Sequence, residues 1–452
     1  MVGMQEVIPV KKKSTYKSVA VQRVDGTQLA ARFSGQRCIV GIDVAKTDMF
    51  ASFSTVADES KAIVRFQHPA ETRLFVELCK QVRDGGAGVE VAMEATGTYG
   101  DALRAQLVAS ELPVFQVDAR RSHDAAMVLD GVPSWHDRKS AVLIAWLHAH
   151  KISRAWRVAT DGERAARAAL ARRDLYAGPL ERNTNRLEAL LAKHWPELLD
   201  HFTLASVSML TLLSKYPTPA LAHADRENAV RFLRTAGHGM FRVDKLTQAI
   251  ASATTTLGEP TTKDEEVLLS VLVAQTLDLH RCVERVDAEI TEIVRGDVVM
   301  QRLASPLGAV TAAAIVAHMG DPGSYASSQS FLKAIGLNLK ERSSGKHQGK
   351  VMITKQGPTR VRFYLFFAAL RFIITDRVVR AWYRKRKHYA EGHRMRGIIA
   401  VMRKLARALP YIARGETFDS AKLFDTRRLS LAETAASQGA SPVAKEGATM
   451  LA

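Results

Sequence analysis

Two acidic residues stand at the ends of apolar stretches in the first hundred residues. Asp43 follows the run CIVGI at 38–42, and Glu94 follows VEVAM at 89–93. A carboxylate in an apolar strand is costly to bury alone, so it usually has a cation as partner. Two such groups at neighbouring strand ends can share a divalent cation of the kind that phosphodiester chemistry requires. Asp137, near the start of a predicted helix, is the expected third ligand for Mg²⁺ (or Mn²⁺).

Other interpretations of these acids stay open. A stretch such as Gly-Ile-Asp-Val at 41–44 forms the first strand of many RNase H-like proteins, which include nucleases, sugar kinases and actin-like ATPases. It therefore indicates a fold better than a function. No glycine-rich phosphate loop follows Asp43, which disfavours the ATPase. A simpler alternative is an aspartate that only caps a turn at the end of its strand.

The elements around the acids predict a mixed α/β domain. Period-two and buried apolar runs predict strands at 38–44, 49–53 and 62–66, then a helix at 71–82, a strand at 89–93, a helix at 99–110 and a strand at 113–117. Consecutive strands followed by alternation of strand and helix favour an RNase H-like order.

Beyond residue 139 the pattern is mostly helical. Leu272, Leu279, Val286 and Ile293 recur every seven residues, with Thr276, Val283 and Ile290 four residues after the first three. This a/d seam predicts a coiled-coil arm or a helical hairpin, whose partner is the helix around 187–199 or the same helix of another copy. A core helix of an ordinary bundle fits equally well.

A helix-hairpin-helix-like element is predicted at 303–315, where a helix ends before Pro306, Gly308 turns the chain, and a second helix begins. The free backbone N–H groups of such a helix start can face a phosphate, as in helix-hairpin-helix elements. From about 429 the composition predicts disorder to residue 452.

Charge and composition narrow the class of partner. The chain has a formal charge of +18, and residues 331–410 hold twenty Lys and Arg against three acids. An excess this sustained favours nucleic acid over lipid or a merely solvated surface. No apolar run reaches the roughly 18 to 20 residues of a membrane span, and the start of the chain lacks the features of a secretory signal. Cys38, Cys79 and Cys282 are too scattered for a disulfide framework or a zinc site, which fits a reducing cytoplasm.

Several blocks together resemble a known family. Residues 41–46 (GIDVAK), 93–99 (MEATGTY) and the Asp-x-x-x-Ala block at 137–141 resemble the first domain of the DEDD transposases of the insertion-sequence 110 family, relatives of Piv-type invertases. Residues 336–339, 342–346, 353–357 and 360–365 resemble its second domain. The similar regions, 36–160 and 301–410, cover about half the chain. The resemblance places the family's first three acids on Asp43, Glu94 and Asp137.

The family's fourth acid does not carry over, because its position, one helical turn after Asp137, is Ser140. A hydroxyl is a poor ligand for a hard cation, so either three acids and a water suffice or another carboxylate substitutes. Asp130 is the expected substitute, since Gly131 and Pro133 allow its loop to fold back; Asp118 and Asp124 are weaker options.

The resemblance also implies a nucleophilic serine just before a glycine, which maps to Ser344, with Ser343 as its neighbour and rival. By itself, Ser-Ser-Gly in a basic loop indicates a plain turn. Serine attack would conserve the phosphodiester bond energy in a phosphoserine link. The residues expected to contact nucleic acid are Arg342, Lys346, Lys350, Lys355, Arg360, Arg362, Arg384, Lys385, Arg386 and Lys387.

The predicted organisation is α/β plus α. It comprises a basic flexible arm (1–35), an RNase H-like (RuvC-like) catalytic domain (36–160), a helical linker with a coiled coil (161–300), a mainly helical transposase domain (301–425) and a disordered tail (426–452). The resemblance implies a DNA transposase or recombinase that acts on element ends and target DNA. It also implies a structured guide RNA. Because a serine that cuts and exchanges several strands requires more than one copy, we expect a homodimer or homotetramer, and a bacterial-type cytoplasmic, nucleoid-associated location. The alternatives are a RuvC-type junction nuclease and a catalytically dead nucleic-acid-binding protein.

Overall fold

The chain forms two compact units, Met1–Val158 and Ala159–Ala452. The structure is a computed structural model that describes residues 16–56, 62–94, 97–130, 135–204, 206–238, 242–341, 343–344, 349, 351–388, 394–426 and 429. Among these residues, no helix combines the length and apolarity needed to cross a membrane.

The first unit contains a seven-stranded mixed sheet. Its strands are β1 (Ser18–Ala20), β2 (Arg37–Asp43), β3 (Asp48–Ser54), β4 (Ala62–Gln67), β5 (Gly88–Glu94), β6 (Val114–Val117) and β7 (Arg154–Ala155), in the order β1-β4-β3-β2-β5-β6-β7. Strands β2, β3 and β4 pair antiparallel, whereas β5 pairs parallel with β2 and β6 parallel with β5. The mixed α/β sheet and its five central strands are therefore confirmed.

Five helices accompany this sheet: α1 (Gly26–Phe33), α2 (Thr72–Asp84), α3 (Asp101–Ala109), α4 (Ala119–Asp130) and α5 (Asp137–Ala149). Alternation along β2 sends Cys38, Val40 and Ile42 into a core shared with α1, α2 and α3. The opposite face of the sheet is covered by α5, whose Leu143, Ile144 and Leu147 pack with Ala92 and Val117. Each face of the sheet thus has its own apolar cover.

Helix α5 approaches β2 unusually closely at Gly41. A Cβ atom at Gly41 would lie 2.3 Å from the carbonyl oxygen of Ala141 and 2.4 Å from the nitrogen of Ala145. At the other end of α5, His148 is 3% exposed, and its Nε2 lies 2.7 Å from Oε2 of Glu90 on β5. These two contacts show that α5 lies antiparallel to β2 and β5. Its first residue, Asp137, therefore lies toward the carboxyl ends of the two strands.

The prediction of a flexible arm at 1–35 is wrong from Tyr16 onward; residues 1–15 lie outside the described part. Strand β1 pairs parallel with β4, and α1 buries Leu29, Ala30 and Phe33 against the sheet. Asp25 caps α1 by accepting hydrogen bonds from the nitrogens of Thr27 and Gln28. The N-cap aspartate and the apolar spacing after it were a readable helix signal that the surrounding basic composition obscured.

The second unit is mainly helical, as predicted. Its helices are α6 (Asp161–His194), α7 (Pro196–His201), α8 (Val207–Lys215), α9 (Pro219–Ala224), α10 (Arg226–Ala236), α11 (Val243–Ala251), α12 (Lys263–Arg295), α13 (Val298–Leu307), α14 (Ala309–Met319), α15 (Ser328–Ala334), α16 (Thr359–Thr375), α17 (Arg377–His388), α18 (Arg394–Ala413) and α19 (Ser420–Leu423). Two short strands, β8 (Leu339–Lys340) and β9 (Met352–Ile353), pair antiparallel.

The two longest helices, α6 and α12, run antiparallel along each other. Arg173 donates to Asp287 at 2.6 Å near one end, and Lys193 donates to Glu265 at 2.7 Å near the other. The predicted partner helix at 187–199 overlaps α6. The apolar seam of α12 therefore packs against a helix of the same chain. Whether these helices supercoil stays a prediction.

The predicted linker (161–300) and transposase domain (301–425) lie in one compact unit, and their division into two domains stays a prediction. The physical reason for the one unit is that α6 and α12 each serve two cores. Ala166, Leu170, Val286 and Ile290 pack with the C-terminal helices, whereas Leu187 and Leu272 pack with helices α7 to α11. The tail predicted to be disordered lies almost entirely outside the described residues.

The two helices and the glycine turn predicted at 303–315 are present, with a shifted boundary. Helix α13 continues through Pro306 to Leu307, and Gly308 then turns the chain with a φ of 81° before α14 begins. Pro306 has no N–H to continue the intrahelical hydrogen bonds, and α13 ends one residue after it.

Replacing Gly41 tests the contact between α5 and β2. Gly41→Ala should lower the free energy of unfolding by about 1 to 3 kcal/mol, because the added methyl group overlaps backbone atoms of α5 that cannot rotate away. Gly88→Ala is the matched control in β5, since its Cβ would meet nothing closer than 3.9 Å. Urea unfolding followed by circular dichroism measures both; equal effects would show that α5 is not held at contact distance.

Candidate functional site

Asp43 and Glu94 are the last residues of two neighbouring parallel strands. The register pairs Ile42 with Met93, so the two acids follow each other across the β2–β5 ladder at the same edge of the sheet. Strand alternation places both on the face covered by α5, because Gly41 and Ala92, two residues earlier, contact that helix. Both side chains are half-buried.

Helix α5 brings a third carboxylate to this edge. Asp137 is its first residue and is exposed. Burial first of all, and then the charges of Asp137 and Glu94, raise the pKa of Asp43 from 3.8 to about 7. The three acids that the sequence singled out are therefore near enough to repel one another electrostatically, although they are distant along the chain.

The donor set has the right chemistry for a hard divalent cation, because carboxylate oxygens are the ligands that Mg²⁺ and Mn²⁺ prefer. A cation would also relieve the repulsion that raises the pKa of Asp43. In the described part of the chain, however, no three His, Cys, Asp or Glu side chains are arranged as a ready ligand group. Side-chain adjustment would be needed for the three acids to bind one ion together.

Tyr16 is a neighbour of this edge that the sequence did not indicate. Its ring meets the ring of His136 edge-on, with 5.1 Å between centroids, and its carbonyl oxygen accepts a hydrogen bond from Arg138 at 3.4 Å. His136 caps α5 through Nδ1, which accepts from the nitrogen of Lys139 at 3.1 Å. The segment expected to be a loose arm thus packs against the helix start that carries Asp137.

The two candidates for a fourth ligand have different outcomes. Ser140 is 5% exposed, and its hydroxyl donates to the carbonyl oxygen of His136 at 3.4 Å. The Ser140 side chain is buried and carries no charge. Asp130 is the last residue of α4, but its side chain lies outside the described part, so its role as a substitute stays a prediction.

The two adjacent serines of the second unit differ in their surroundings. Ser343 donates to Oε1 of Glu341 at 2.5 Å and accepts a hydrogen bond from the nitrogen of Gly349 at 3.1 Å. Ser344 is exposed, and its hydroxyl has no hydrogen-bond partner among the described residues. Both lie between β8 and β9, and Ser344 is the one whose hydroxyl is available to a ligand.

Two family models match the chain. A model for the DEDD transposase of IS110 type matches residues 40–196, and the model described as "Transposase IS116/IS110/IS902 family" matches residues 306–384. Together they span more than half of the chain.

The chain belongs to the IS110 family of DEDD transposases. Enzymes of this family cut and rejoin DNA, so the acids of the first unit and the basic second unit are parts of a DNA transposase. A comparison with curated proteins gives no match.

The basic residues of the transposase divide into free and structural groups. Lys355 and Arg384 are exposed, and Arg360 forms an ion pair with Asp174. Arg362, expected to bind phosphate, instead donates to the carbonyl oxygens of Ile335 and Gly357 at 3.1 and 2.9 Å, and burial lowers its pKa. Lys385 already interacts with another group of the protein, so it is not counted among the free residues. Arg342, Lys346 and Lys350, and the side chains of Arg386 and Lys387, lie outside the described part.

Arg362 is one of several arginines that donate to backbone carbonyl groups across the second unit. Others are Arg167 to Ala317, Arg302 to Ala413, Arg371 to Pro306, Arg403 to Leu337 and Arg414 to Gly323. These carbonyl groups lie at helix ends or in loops, where no backbone donor is available. Part of the positive charge that indicated nucleic acid therefore holds the fold together.

Asp43→Asn tests the electrostatic description of the acid edge. In magnesium-free buffer above pH 7 it should raise the free energy of unfolding by about 1 to 4 kcal/mol, because the neutral amide removes a buried, repelled charge. The folded wild type takes up a proton as the pH falls through about 7, whereas the unfolded chain does so only near 3.8. The gain should therefore shrink across that interval. Asp84→Asn, at an exposed helix end, is the control, and a gain independent of pH would contradict the assignment.

Arg384→Ala and Arg362→Ala separate the two kinds of arginine. Arg384→Ala should weaken binding to unrelated duplexes and lower the slope of log K against log salt by about one, since one phosphate contact is lost. Arg362→Ala should leave that slope unchanged and lower stability by about 1 to 3 kcal/mol, since carbonyl oxygens lose their donor. Fluorescence anisotropy at several salt concentrations and thermal unfolding measure the two effects; exchanged outcomes would reverse the assignment.

Proposed function

We propose that this transposase moves an insertion sequence by a reaction in which Asp43, Glu94 and Asp137 hold Mg²⁺ (or Mn²⁺) and Ser344 attacks the DNA. The observation that carries the proposal is the meeting of three carboxylates at one sheet edge, where burial, together with the charges of Asp137 and Glu94, raises the pKa of Asp43 to about 7. Like charges are gathered in this way at sites that bind a cation or transfer a proton.

We assign the first unit to the RNase H-like, RuvC-like class. The support is the order of its central strands: three antiparallel strands, β4, β3 and β2, continue into parallel strands β5 and β6. The acids end β2 and β5, at the carboxyl edge, where open α/β sheets place their ligands.

A bound divalent cation supplies charge neutralisation at the scissile phosphate. The residues of this chain would orient it. Asp43 and Glu94 are fixed by the strand ladder, and Asp137 by the start of α5, whose positive helix end also favours an anionic group. With Ser140 in the fourth position, we propose that three acids and solvent complete the site, unless Asp130 contributes.

Ser344 is the proposed nucleophile because its hydroxyl is exposed and has no partner among the described residues, whereas Ser343 is hydrogen-bonded. Its Oγ would form a bond to phosphorus while the bond from phosphorus to the leaving deoxyribose oxygen breaks. The serine proton is lost to solvent or a nearby base, and the leaving oxygen takes up a proton. The phosphoserine conserves the bond for rejoining to a new strand.

Two partners, one implied by the family resemblance and one by the serine chemistry, stay proposals. A structured guide RNA would pair with donor and target DNA and so select sequence, while the protein holds backbone and duplex shape. A homodimer or homotetramer would supply enough serines to exchange several strands. DNA at the element ends and the target is the substrate.

The decisive test is the product of cleavage. On a nicked substrate the wild type should form a protein–DNA adduct that resists denaturant, is destroyed by protease and requires magnesium. Ser344→Ala should bind the same DNA and form no adduct, since the attacking oxygen is gone. Ser343→Ala, the neighbouring control, should form the adduct more slowly.

Gel electrophoresis after denaturation resolves these outcomes. Cleavage without any adduct would favour the RuvC-type nuclease, in which water attacks. An adduct that is lost only in Ser343→Ala would move the nucleophile by one residue. Absence of magnesium-dependent cleavage on every substrate would leave a DNA-binding protein with a dead site.

A further inference from the structure

Helix α16 has an apolar stripe on its outer face as well as on its inner face. The inner face buries Val361, Leu365 and Ala369 in the core. The outer stripe consists of Phe363, Phe366, Phe367, Leu370 and Ile374, whose spacing places them along one side of the helix over about 16 Å. Phe363 is 44% exposed and Ile374 is 40% exposed, while the other three are half-buried. Phe366 and Leu370 pack in part against the core, so Phe363, Phe367 and Ile374 form the outermost part of the stripe.

The three phenylalanine rings of this outer stripe are held in a fixed arrangement. The centroids of Phe363 and Phe367 lie 4.8 Å apart with an angle of 72° between planes, and those of Phe366 and Phe367 lie 5.5 Å apart at 82°. The guanidinium of Arg360 lies 5.9 Å from the centroid of Phe363. An aromatic group this exposed and ordered marks a binding surface rather than a surplus of core residues.

The charge around the outer stripe decides between possible occupants. Residues 359–388 contain nine Lys and Arg and a single acid, Asp376. Arg360 pairs with Asp174 of α6, and Arg362, Arg371 and Arg380 donate to backbone carbonyl oxygens, whereas Arg377 and Arg384 are exposed. That acid accepts a hydrogen bond from the nitrogen of Val379 at 3.0 Å. A second copy docking here would bring two strongly positive segments together, which is unfavourable. A nucleic-acid strand supplies flat apolar bases for the rings and phosphates for the surrounding cations.

We propose that the outer stripe of α16 is a stacking platform for unpaired bases of a DNA strand. Every base has a π face, so stacking on phenylalanine accepts any sequence, and arginine beside the ring adds a cation–π contribution. A paired duplex hides its base faces and would gain only phosphate contacts. Strand exchange passes through unpaired nucleotides, which this surface would hold. The proposal concerns binding alone and does not depend on Ser344 or on the acids.

Binding of single-stranded and duplex DNA by the full-length protein tests the proposal. The probes are a labelled thymidine oligonucleotide of about 16 nucleotides and a duplex of equal length. Phe363→Ala should weaken binding of the single strand roughly tenfold and leave duplex binding and its salt slope unchanged, because a ring and no charge is removed. Phe363→Tyr, which keeps the ring, should bind like the wild type.

Ile374→Ala is the matched control, because it removes an apolar side chain of the same stripe without removing a ring. It should leave single-strand affinity unchanged. Light scattering of each variant reports the oligomeric state. If Phe363→Ala and Ile374→Ala both dissociate an oligomer while single-strand affinity is unchanged, the stripe is an interface between copies and the proposal is wrong.

Photocrosslinking gives a second, independent measurement that does not rely on a variant. A single strand containing 5-iododeoxyuridine should crosslink to the peptide that includes Phe363 and Phe367, as mass spectrometry of the digested adduct would show. Crosslinks confined to other helices, or equal loss of single-strand and duplex affinity in Phe363→Ala, would overturn the stacking assignment.

Discussion

The first unit depends on the close contact between α5 and β2 at Gly41. Only a residue without a side chain allows the backbone of Ala141 and Ala145 to lie this near the strand. The contact sets the height of α5 above the sheet, and the buried link between His148 and Glu90 fixes its far end. Because both contacts fix the position of α5, its first residue, Asp137, lies beside the carboxyl ends of β2 and β5.

The same arrangement explains the electrostatics of the acid edge. Asp43 loses contact with water because a helix covers its side of the sheet, and burial is the largest cause of its raised pKa. The positive end of α5 favours the nearby carboxylates but does not overcome burial and mutual repulsion. At the opposite end of the helix, Glu90 has Arg37 and His148 as partners, and its pKa is lowered, first of all by the hydrogen bond from Arg37. On the same strand, Glu90 thus lies beside two basic side chains, whereas Glu94 lies near Asp43.

In the second unit, the arginines are divided between two tasks. Those at helix ends donate to carbonyl oxygens that no backbone group can reach, so the packing of short helices depends on them. Arg377 and Arg384 on α17 are exposed and have room for a polyanion. Net charge alone therefore overestimates the surface available to DNA, because a guanidinium that donates to several carbonyl oxygens cannot leave them for a phosphate without a cost in stability.

Local sequence was enough for the features that depend on a residue's near neighbours. The apolar runs predicted the central strands, their ends identified Asp43 and Glu94, and the seven-residue spacing identified α12, because strand and helix periods can be read along the chain. Family blocks indicated the transposase. Tertiary structure decided the rest: that residues 16–33 add a strand and a helix, that α6 and α12 join the linker to the C-terminal helices, that Ser140 is buried, and that Arg362 is structural while Arg384 is exposed. Arg362 and Arg384 look alike in the sequence. Their difference lies in carbonyl groups such as that of Ile335, 27 residues before Arg362, whose position is set only when α15 and α16 both pack against α18.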